Sequence, residues 1–367
     1  MTVTPSPPWV LDLKPYVPGT PIETIERELG ITGIVKLASN ENPLGPSPRA
    51  IAAMREAAGR VHLYPDAGTF SLRARLARHL DVPADRIVIG NGSNELLTLL
   101  VRAFATPEHN VVVGEYGFVA YRVVSGAAGV AVRSVPMPDL SYDLEAMTAA
   151  CDDDTRLLFV ANPNNPTGTW CTRDAIVKML REVPEHVMVV LDEAYFEYVD
   201  DPDIPDALTL LDERENLVVT RTFSKAYGLA GCRVGYAVVP PAVADRLNRI
   251  REPFNANLVG QAAAIAGLDD PDHIDRGVKL NRVQRGALES WLDALGIGWV
   301  PSQCNFLLIE SPIPGGELYE KMLPKGVIVR PMGPYRLPNH VRVSIGTAAE
   351  MEKFRSAFEA VLAEVRS

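Results

Sequence analysis

Short apolar runs recur along this chain at a spacing that favours a covered, mainly parallel sheet over other layered folds. "RIVIG" (86–90), "NVVVG" (110–114), "VAVRSV" (130–135), "RLLFV" (156–160), "VMVVL" (187–191) and "NLVVT" (216–220) are all of strand length and rich in branched aliphatic residues. Helix-patterned stretches separate several of them, among them "SLRARLARHL", "NELLTLLVRAF" and "TRDAIVKMLREV". Continuous apolar strands must be covered on both faces, and strands that alternate with helices pair in parallel. The predicted fold class is therefore α/β. In such sheets a ligand lies beyond the carboxyl ends of the strands, so the residues just after each run carry the functional information.

Those residues are polar. "RIVI" leads into "GNGSNE", "RLLFV" into "ANPNNPTG", "VMVVL" into "DEAY" and "NLVVT" into "RTFSK". The last belongs to "TRTFSKAYGLAGCRVG" (220–235), where Lys225 and Arg233 stand among small residues. A lysine is a nucleophile only as the free amine, so its pKa must fall from ~10.4, which partial burial and neighbouring cations achieve. A solvated loop lysine is the plain alternative. The convergence of four polar strand ends on one rim argues against it. Asp192 closes an apolar run, where a carboxylate needs a cation or an N–H group. An ion pair within the protein or a ligand would each supply one. Tyr195 follows three residues later, close enough for a turn to bring both to one ligand. "GNGSNE" at a helix start suits a phosphate, although Ser93 or Asn94 would also serve as a plain helix cap. It matches neither GxxxxGK[ST] nor GxGxxG, since Glu95 fills the last place, so no nucleotide fingerprint is present. "ANPNNPTG" alone reads as a surface turn, while its place directly after a buried-type strand points equally to a functional role.

The 367 residues exceed one usual core, so two structural units are expected. The formal net charge is −10 and no basic block stands out, which argues against a nucleic acid or an anionic membrane surface as partner. An anionic ligand must then be held by local groups. Cys151, Cys171, Cys232 and Cys304 are far apart with no CxxC pair, which disfavours a zinc site or a disulfide framework and fits reduced thiols in the cytoplasm. "MTVTPSPPWVLDL" lacks the pattern of a signal peptide, and no apolar run approaches the ~20 residues of a membrane helix. Residues 1–50 are rich in Pro and Gly and read as an extended arm, joining the unit formed by 261–367. Residues 51–260 hold the strand–helix alternation. From about 260 the rhythm changes to "LGIGWV", "CNFLLIE", "GVIVR" and "VRVSIG" before a last helix, the pattern of a smaller α+β unit.

"LKPYVPG", "LASNENPLGPSP", "YPD", "NPNNPTG", "DEAY", "TFSKAYGLAGCRVG" and "VRVSIG" together resemble, in order and over essentially the whole chain, the pyridoxal 5′-phosphate (PLP) enzymes of the aspartate-aminotransferase fold type. Within them the chain is most similar to the histidinol-phosphate aminotransferase family. The resemblance implies fold type I, with a seven-stranded, mainly parallel sheet in a large domain and a smaller α+β domain. It implies that Lys225 carries the cofactor covalently and then moves the substrate proton. Asp192 matches the carboxylate that keeps the pyridine nitrogen protonated, which makes the ring an electron sink. Asn165 and Tyr195 match donors to the phenolate oxygen. Ser93, Asn94, Thr222, Ser224 and Arg233 match the phosphate cradle, with Gly92 giving close backbone approach. Phe118 falls where an aromatic ring stacks on the cofactor; Tyr or Trp is common there, so this is a mild departure. Tyr64 matches a tyrosine that reaches the cofactor phosphate of a neighbouring subunit, which implies a homodimer with shared sites. Arg342 matches the arginine that grips the substrate carboxylate, and Arg330 and Tyr16 match positions around the substrate's distal end. "GEYGF" departs from the proline-led segment of many members.

The implied reaction is transamination between L-histidinol phosphate and 2-oxoglutarate, giving imidazole-acetol phosphate and L-glutamate in histidine biosynthesis. An aromatic or phenylalanine aminotransferase shares these motifs, and a threonine-phosphate decarboxylase uses the same scaffold. A regulator built on this fold would need a DNA-binding segment, for which the N-terminal arm leaves no room. A dinucleotide-dependent oxidoreductase lacks its glycine fingerprint.

Overall fold

The structure is a computed structural model that describes residues 4–11, 13 and 22–366. Its strands are β1 (Val35–Lys36), β2 (Ile87–Gly90), β3 (Asn110–Gly114), β4 (Ala131–Val135), β5 (Thr155–Ala161), β6 (Met188–Asp192) and β7 (Leu217–Thr222). They continue with β8 (Gly235–Val238), β9 (Trp299–Val300), β10 (Phe306–Glu310), β11 (Val327–Ile328), β12 (Arg330–Pro331) and β13 (His340–Ser344). Seven form one sheet in the order β2-β8-β7-β6-β5-β3-β4. The pairs from β7 to β4 are all parallel, and only β8 runs against its neighbours. All six apolar runs singled out in the sequence are strands of this sheet. β8 escaped notice because it is a four-residue run, "GYAV", directly after the glycine- and cation-rich segment.

Side chains alternate across the sheet as strand geometry requires. Val111, Phe159, Val190 and Val218 enter one core, beneath the helices Ser93–Phe104, Val119–Ala127 and Pro241–Ile250. Val112, Leu158, Val189 and Val219 enter the other, beneath Arg173–Glu182. Both faces are dry, which is why the runs are uninterrupted apolar sequence. β4 is an edge strand and is largely exposed.

A second sheet, β12-β13-β10-β9, is antiparallel. Its inner face (Leu307, Ile309, Val341, Val343) packs with Leu288, Leu292, Phe354 and Phe358 from the helices Pro271–Leu295 and Ala348–Arg366. β1 pairs in parallel with β11, which ties the N-terminal stretch to this unit. That stretch is less extended than its composition implies, because it includes the helix Ile22–Leu29. The boundary expected after residue 260 falls inside the helix Leu258–Leu268, which lies on the helices Pro48–Ala58 and Phe70–Leu80. We propose to draw it between that helix and Pro271–Leu295.

Phe358 is fully buried and packs against Phe354 and Trp291 with ring centroids 5.6 Å apart in each pair. Phe358→Ala should destabilise the protein by about 3–5 kcal/mol, read as a lower denaturation midpoint in urea. A midpoint equal to wild type would show that this core does not bear on global stability.

Candidate active site

The carboxyl ends of β2, β5, β6 and β7 open into one pocket, and most of the residues singled out in the sequence line it. Ser93 and Asn94 come from beyond β2, Asn165 from beyond β5, Asp192 and Tyr195 from β6 and its following turn. Thr222, Ser224 and Lys225 come from β7 and its following loop, Arg233 from just before β8, and Phe118 from the start of Val119–Ala127. The "ANPNNPTG" segment is no surface turn. All of its residues are buried, and its Asn162–Pro163 and Asn165–Pro166 bonds are cis.

At the deep end, Asp192 is the last residue of β6 and is almost fully buried. Its Oδ2 accepts a 2.9 Å hydrogen bond from the Tyr121 hydroxyl, while Oδ1 has no hydrogen-bond partner among the described residues. Burial pushes the carboxyl pKa up; the Tyr121 and Thr220 hydroxyls and the Ala194 N–H oppose that. A buried carboxylate with one unmet oxygen calls for a cationic N–H donor. Tyr121 was not anticipated. It lies inside an amphipathic helix, stacked on Phe159 at 4.8 Å, and its sequence context is that of a core aromatic.

At the other end is a cradle for an anion. Gly92 precedes the helix Ser93–Phe104, and no side chain caps that terminus, so the plain capping role for Ser93 or Asn94 is not what the residues do. Gly92 has φ +77°, and a Cβ there would lie 2.4 Å from Arg233 Nη2. Only glycine therefore permits the guanidinium to rest against the helix start. Arg233 Nη1 donates to Ser224 Oγ at 3.3 Å and to the Ala230 carbonyl at 3.1 Å. The Ser224 N–H donates to Thr222 Oγ1 at 3.1 Å. Uncapped helix N–H groups, two hydroxyls and a guanidinium together suit a phosphate dianion.

Lys225 lines the same pocket. Its Nζ donates to the Ser39 carbonyl at 3.1 Å and lies 5.7 Å from the centre of the Tyr195 ring. Burial, then the charges of Arg342 and Arg233, bring its pKa down to about 8, against an opposing pull from Glu41. At neutral pH roughly one tenth of such amines are free, compared with fewer than about one in a thousand for an ordinary lysine.

Arg342, on β13, is buried; it donates to Asn165 Oδ1 and, at 2.8 Å, to the Ala38 carbonyl, while its Nε finds no partner among the described residues. Arg330 on β12 faces it in register. Two arginines thus stand opposite each other on adjacent strands, Arg342 bonded to Asn165. Tyr64 is not in the pocket: it is 81% exposed and stacked on Phe254 at 4.5 Å. Tyr16 lies outside the described residues. The site also includes Asn40, whose amide donates to the Tyr195 hydroxyl at 2.9 Å. The "LASNEN" motif was a visible signal for it, but nothing in the sequence assigned that asparagine a partner.

Comparison with known proteins agrees with this architecture. The family described as "Aminotransferase class I and II" matches residues 32–358. A histidinol-phosphate aminotransferase of Pseudomonas aeruginosa is 48% identical over 358 residues, covering 97% of each chain. One from Pseudomonas fluorescens is 47% identical, also with 97% of each chain covered. The crystal structure of histidinol-phosphate aminotransferase from Sinorhizobium meliloti in complex with pyridoxal-5′-phosphate superposes with a TM-score of 0.90 at 30% identity, covering 99% of each chain.

The depressed lysine gives a direct expectation. Reductive methylation of Lys225 by formaldehyde in the cofactor-free protein, followed by peptide mapping, should speed up about tenfold per pH unit below about pH 8 and then level off. A rate that keeps climbing to pH 10 would mean an ordinary solvated amine.

Proposed function

The chain belongs to the class I and II aminotransferases, and we propose that it is a PLP-dependent histidinol-phosphate aminotransferase. It transfers the amino group of L-histidinol phosphate to 2-oxoglutarate, yielding imidazole-acetol phosphate and L-glutamate, in histidine biosynthesis. The observation that carries the chemistry is the placement of one pK-depressed amine, Lys225, in the same pocket as an anion cradle and the unmet oxygen of Asp192. That donor set fits PLP: a phosphate for the cradle, a pyridine N–H for Asp192 Oδ1 and an aldehyde for Lys225. Bound PLP supplies an electron sink for the pair released when the substrate Cα–H bond breaks.

The residues divide the work as follows. Lys225 holds the cofactor until a substrate amine displaces it, and then, as a free base, moves the proton off and onto substrate carbon. Its low pKa keeps it competent near neutral pH. Asp192 holds a proton on the ring nitrogen, and Tyr121 orients it. Tyr195 and Asn165 donate to the phenolate oxygen, and Phe118 covers a ring face. Ser93, Asn94, Thr222, Ser224 and Arg233 hold the phosphate against Gly92. Arg342 and Arg330 receive the anionic group of the substrate. Two facing guanidinium groups suit the phosphate of histidinol phosphate, and a carboxylate of the keto acid in the second half-reaction. The names of the relatives at 46–48% identity support this choice of substrate.

The enzyme acts as a homodimer in the cytoplasm. No described helix is long and apolar enough to cross a membrane. Val61, Leu63, Tyr64 and Phe70 are 65%, 56%, 81% and 71% exposed, an apolar face that a second copy would cover, bringing Tyr64 to the partner's cofactor phosphate.

With PLP the protein should be yellow, and borohydride should fix the cofactor on Lys225. Lys225→Ala should lose transamination by at least about a thousandfold while still binding PLP. In a donor panel with 2-oxoglutarate, histidinol phosphate should exceed phenylalanine, tyrosine, histidine and threonine phosphate in kcat/KM; a higher value for phenylalanine would overturn the substrate assignment. If Tyr64 acts across the interface, mixing Tyr64→Phe with inactive Lys225→Ala should form hybrid dimers in which one site carries both lesions and the other neither. That other site should regain full PLP affinity. Affinity that stays at the Tyr64→Phe level would place Tyr64 outside a shared site.

A further inference from the structure

Asn40 sits in the stretch between β1 and the helix Pro48–Ala58, yet is almost fully buried. Its φ is +57°, a left-handed conformation that asparagine tolerates better than most residues. The Asn305 amide donates to its carbonyl at 3.0 Å. Its own N–H donates to Ser344 Oγ at 2.8 Å, and the Ser344 hydroxyl donates back to Asn40 Oδ1 at 2.9 Å. This closed pair sets the amide's orientation. Flipping it would leave the buried Ser344 proton without an acceptor among the described residues, a costly outcome. With Oδ1 committed to Ser344, Nδ2 is the atom that meets Tyr195 Oη, at 2.9 Å. An amide nitrogen only donates. The Tyr195 oxygen is therefore the acceptor of that bond, and its own proton is directed elsewhere.

We propose that Asn40, clamped by Ser344, is a positioning residue that commits the Tyr195 hydroxyl to donating into the pocket, and so lowers the acid–base midpoint of the lysine-bound cofactor. This rests on the roles of PLP, Lys225 and Tyr195 proposed above. A hydroxyl that donates to the phenolate oxygen stabilises the deprotonated form of the bound nitrogen beside it. A hydroxyl that donates to its own protein does not. The charged and titratable groups facing Tyr195 and Lys225 are Arg342, Arg233, Glu41, Asp192, Tyr198 and Cys304, and the variants below leave all of them in place.

Asn40→Asp keeps size and left-handed tolerance but reverses the polarity, because a carboxylate accepts the Tyr195 proton. In the holoenzyme, the pH midpoint of the visible absorption band should rise by about one unit or more, and PLP should bind more weakly. Ser344→Ala, which removes the clamp but no charge, should shift the midpoint in the same direction by less; it also serves if Asn40→Asp does not fold. In a Tyr195→Phe background, Asn40→Asp should add no further shift. An equal shift in that background would mean a through-space charge effect and would overturn the relay. So would a wild-type midpoint in both Asn40→Asp and Ser344→Ala. Failure of the wild-type protein to form the band, or of borohydride to label Lys225, would instead remove the underlying cofactor assignment.

Discussion

A carboxylate that closes a strand buried along its whole length is the constraint around which this site is built. β6 can be apolar from Met188 to Leu191 because both faces of the sheet are covered, but Asp192 then has to be accommodated at its end. Burial of an unmatched carboxylate costs several kcal/mol. Tyr121 meets one oxygen and leaves the other unmet. Elsewhere around the pocket the charges are of the opposite sign: Lys225, Arg233 and, just beyond, Arg342. A ligand that is cationic at one end and anionic elsewhere relieves both imbalances at once. The formal charge of −10 on the whole chain makes the local nature of this arrangement plain. Over a distance of a few residues the clustered cations outweigh it, and together with burial they lower the pKa of Lys225.

The groups that touch the pocket are held by a second layer of charge. Glu193, the residue after Asp192, takes two hydrogen bonds from Arg221, the residue before Thr222, at 2.8 and 2.7 Å. The same guanidinium reaches Asp206 at 2.6 Å and lies over the Phe196 ring at 3.6 Å. Side chains alternate along a strand, so Asp192 and Thr222 face the pocket while Glu193 and Arg221 tie the ends of β6 and β7 together behind it. Losing either partner would strand a buried charge. The pair therefore resists any drift of the two strand ends on which the positions of Asp192, Thr222 and Ser224 depend.

Much of this was legible in the sequence because each feature is local. Uninterrupted apolar runs revealed the parallel strands, and the polar residues after them revealed the rim of the site. Lys225 stood out because its neighbours are small. What escaped was either brief or non-local. β8 has four residues and runs antiparallel to β7, joined to it by the short Phe223–Val234 segment with no crossover helix between them. Tyr121 differs from a core aromatic only through its bond to Asp192, 71 residues away. The role of Ser93 was open between cap and ligand donor, because that choice depends on where Arg233 comes to rest, 140 positions later in the chain.

The N-terminal stretch shows the same limit most clearly. Its Pro and Gly content reads as a connecting arm, yet residues 38–45 strap the site. The Ala38 carbonyl holds Arg342, the Ser39 carbonyl holds Lys225, Asn40 bonds Tyr195, and Asn42 bonds the Ala226 carbonyl at 2.7 Å. This contact also gives one of the small residues after Lys225 a structural reason. A Cβ on Gly228, whose φ is +68°, would stand 2.3 Å from the Gly45 carbonyl oxygen, so that glycine makes room for the strap. Three of the groups proposed for the chemistry, Lys225, Tyr195 and Arg342, thus each bond a segment that is itself anchored to the second sheet through Ser344 and to β11 through β1. A displacement of that sheet relative to the large one would be felt at all three together, because each bonds the same strap.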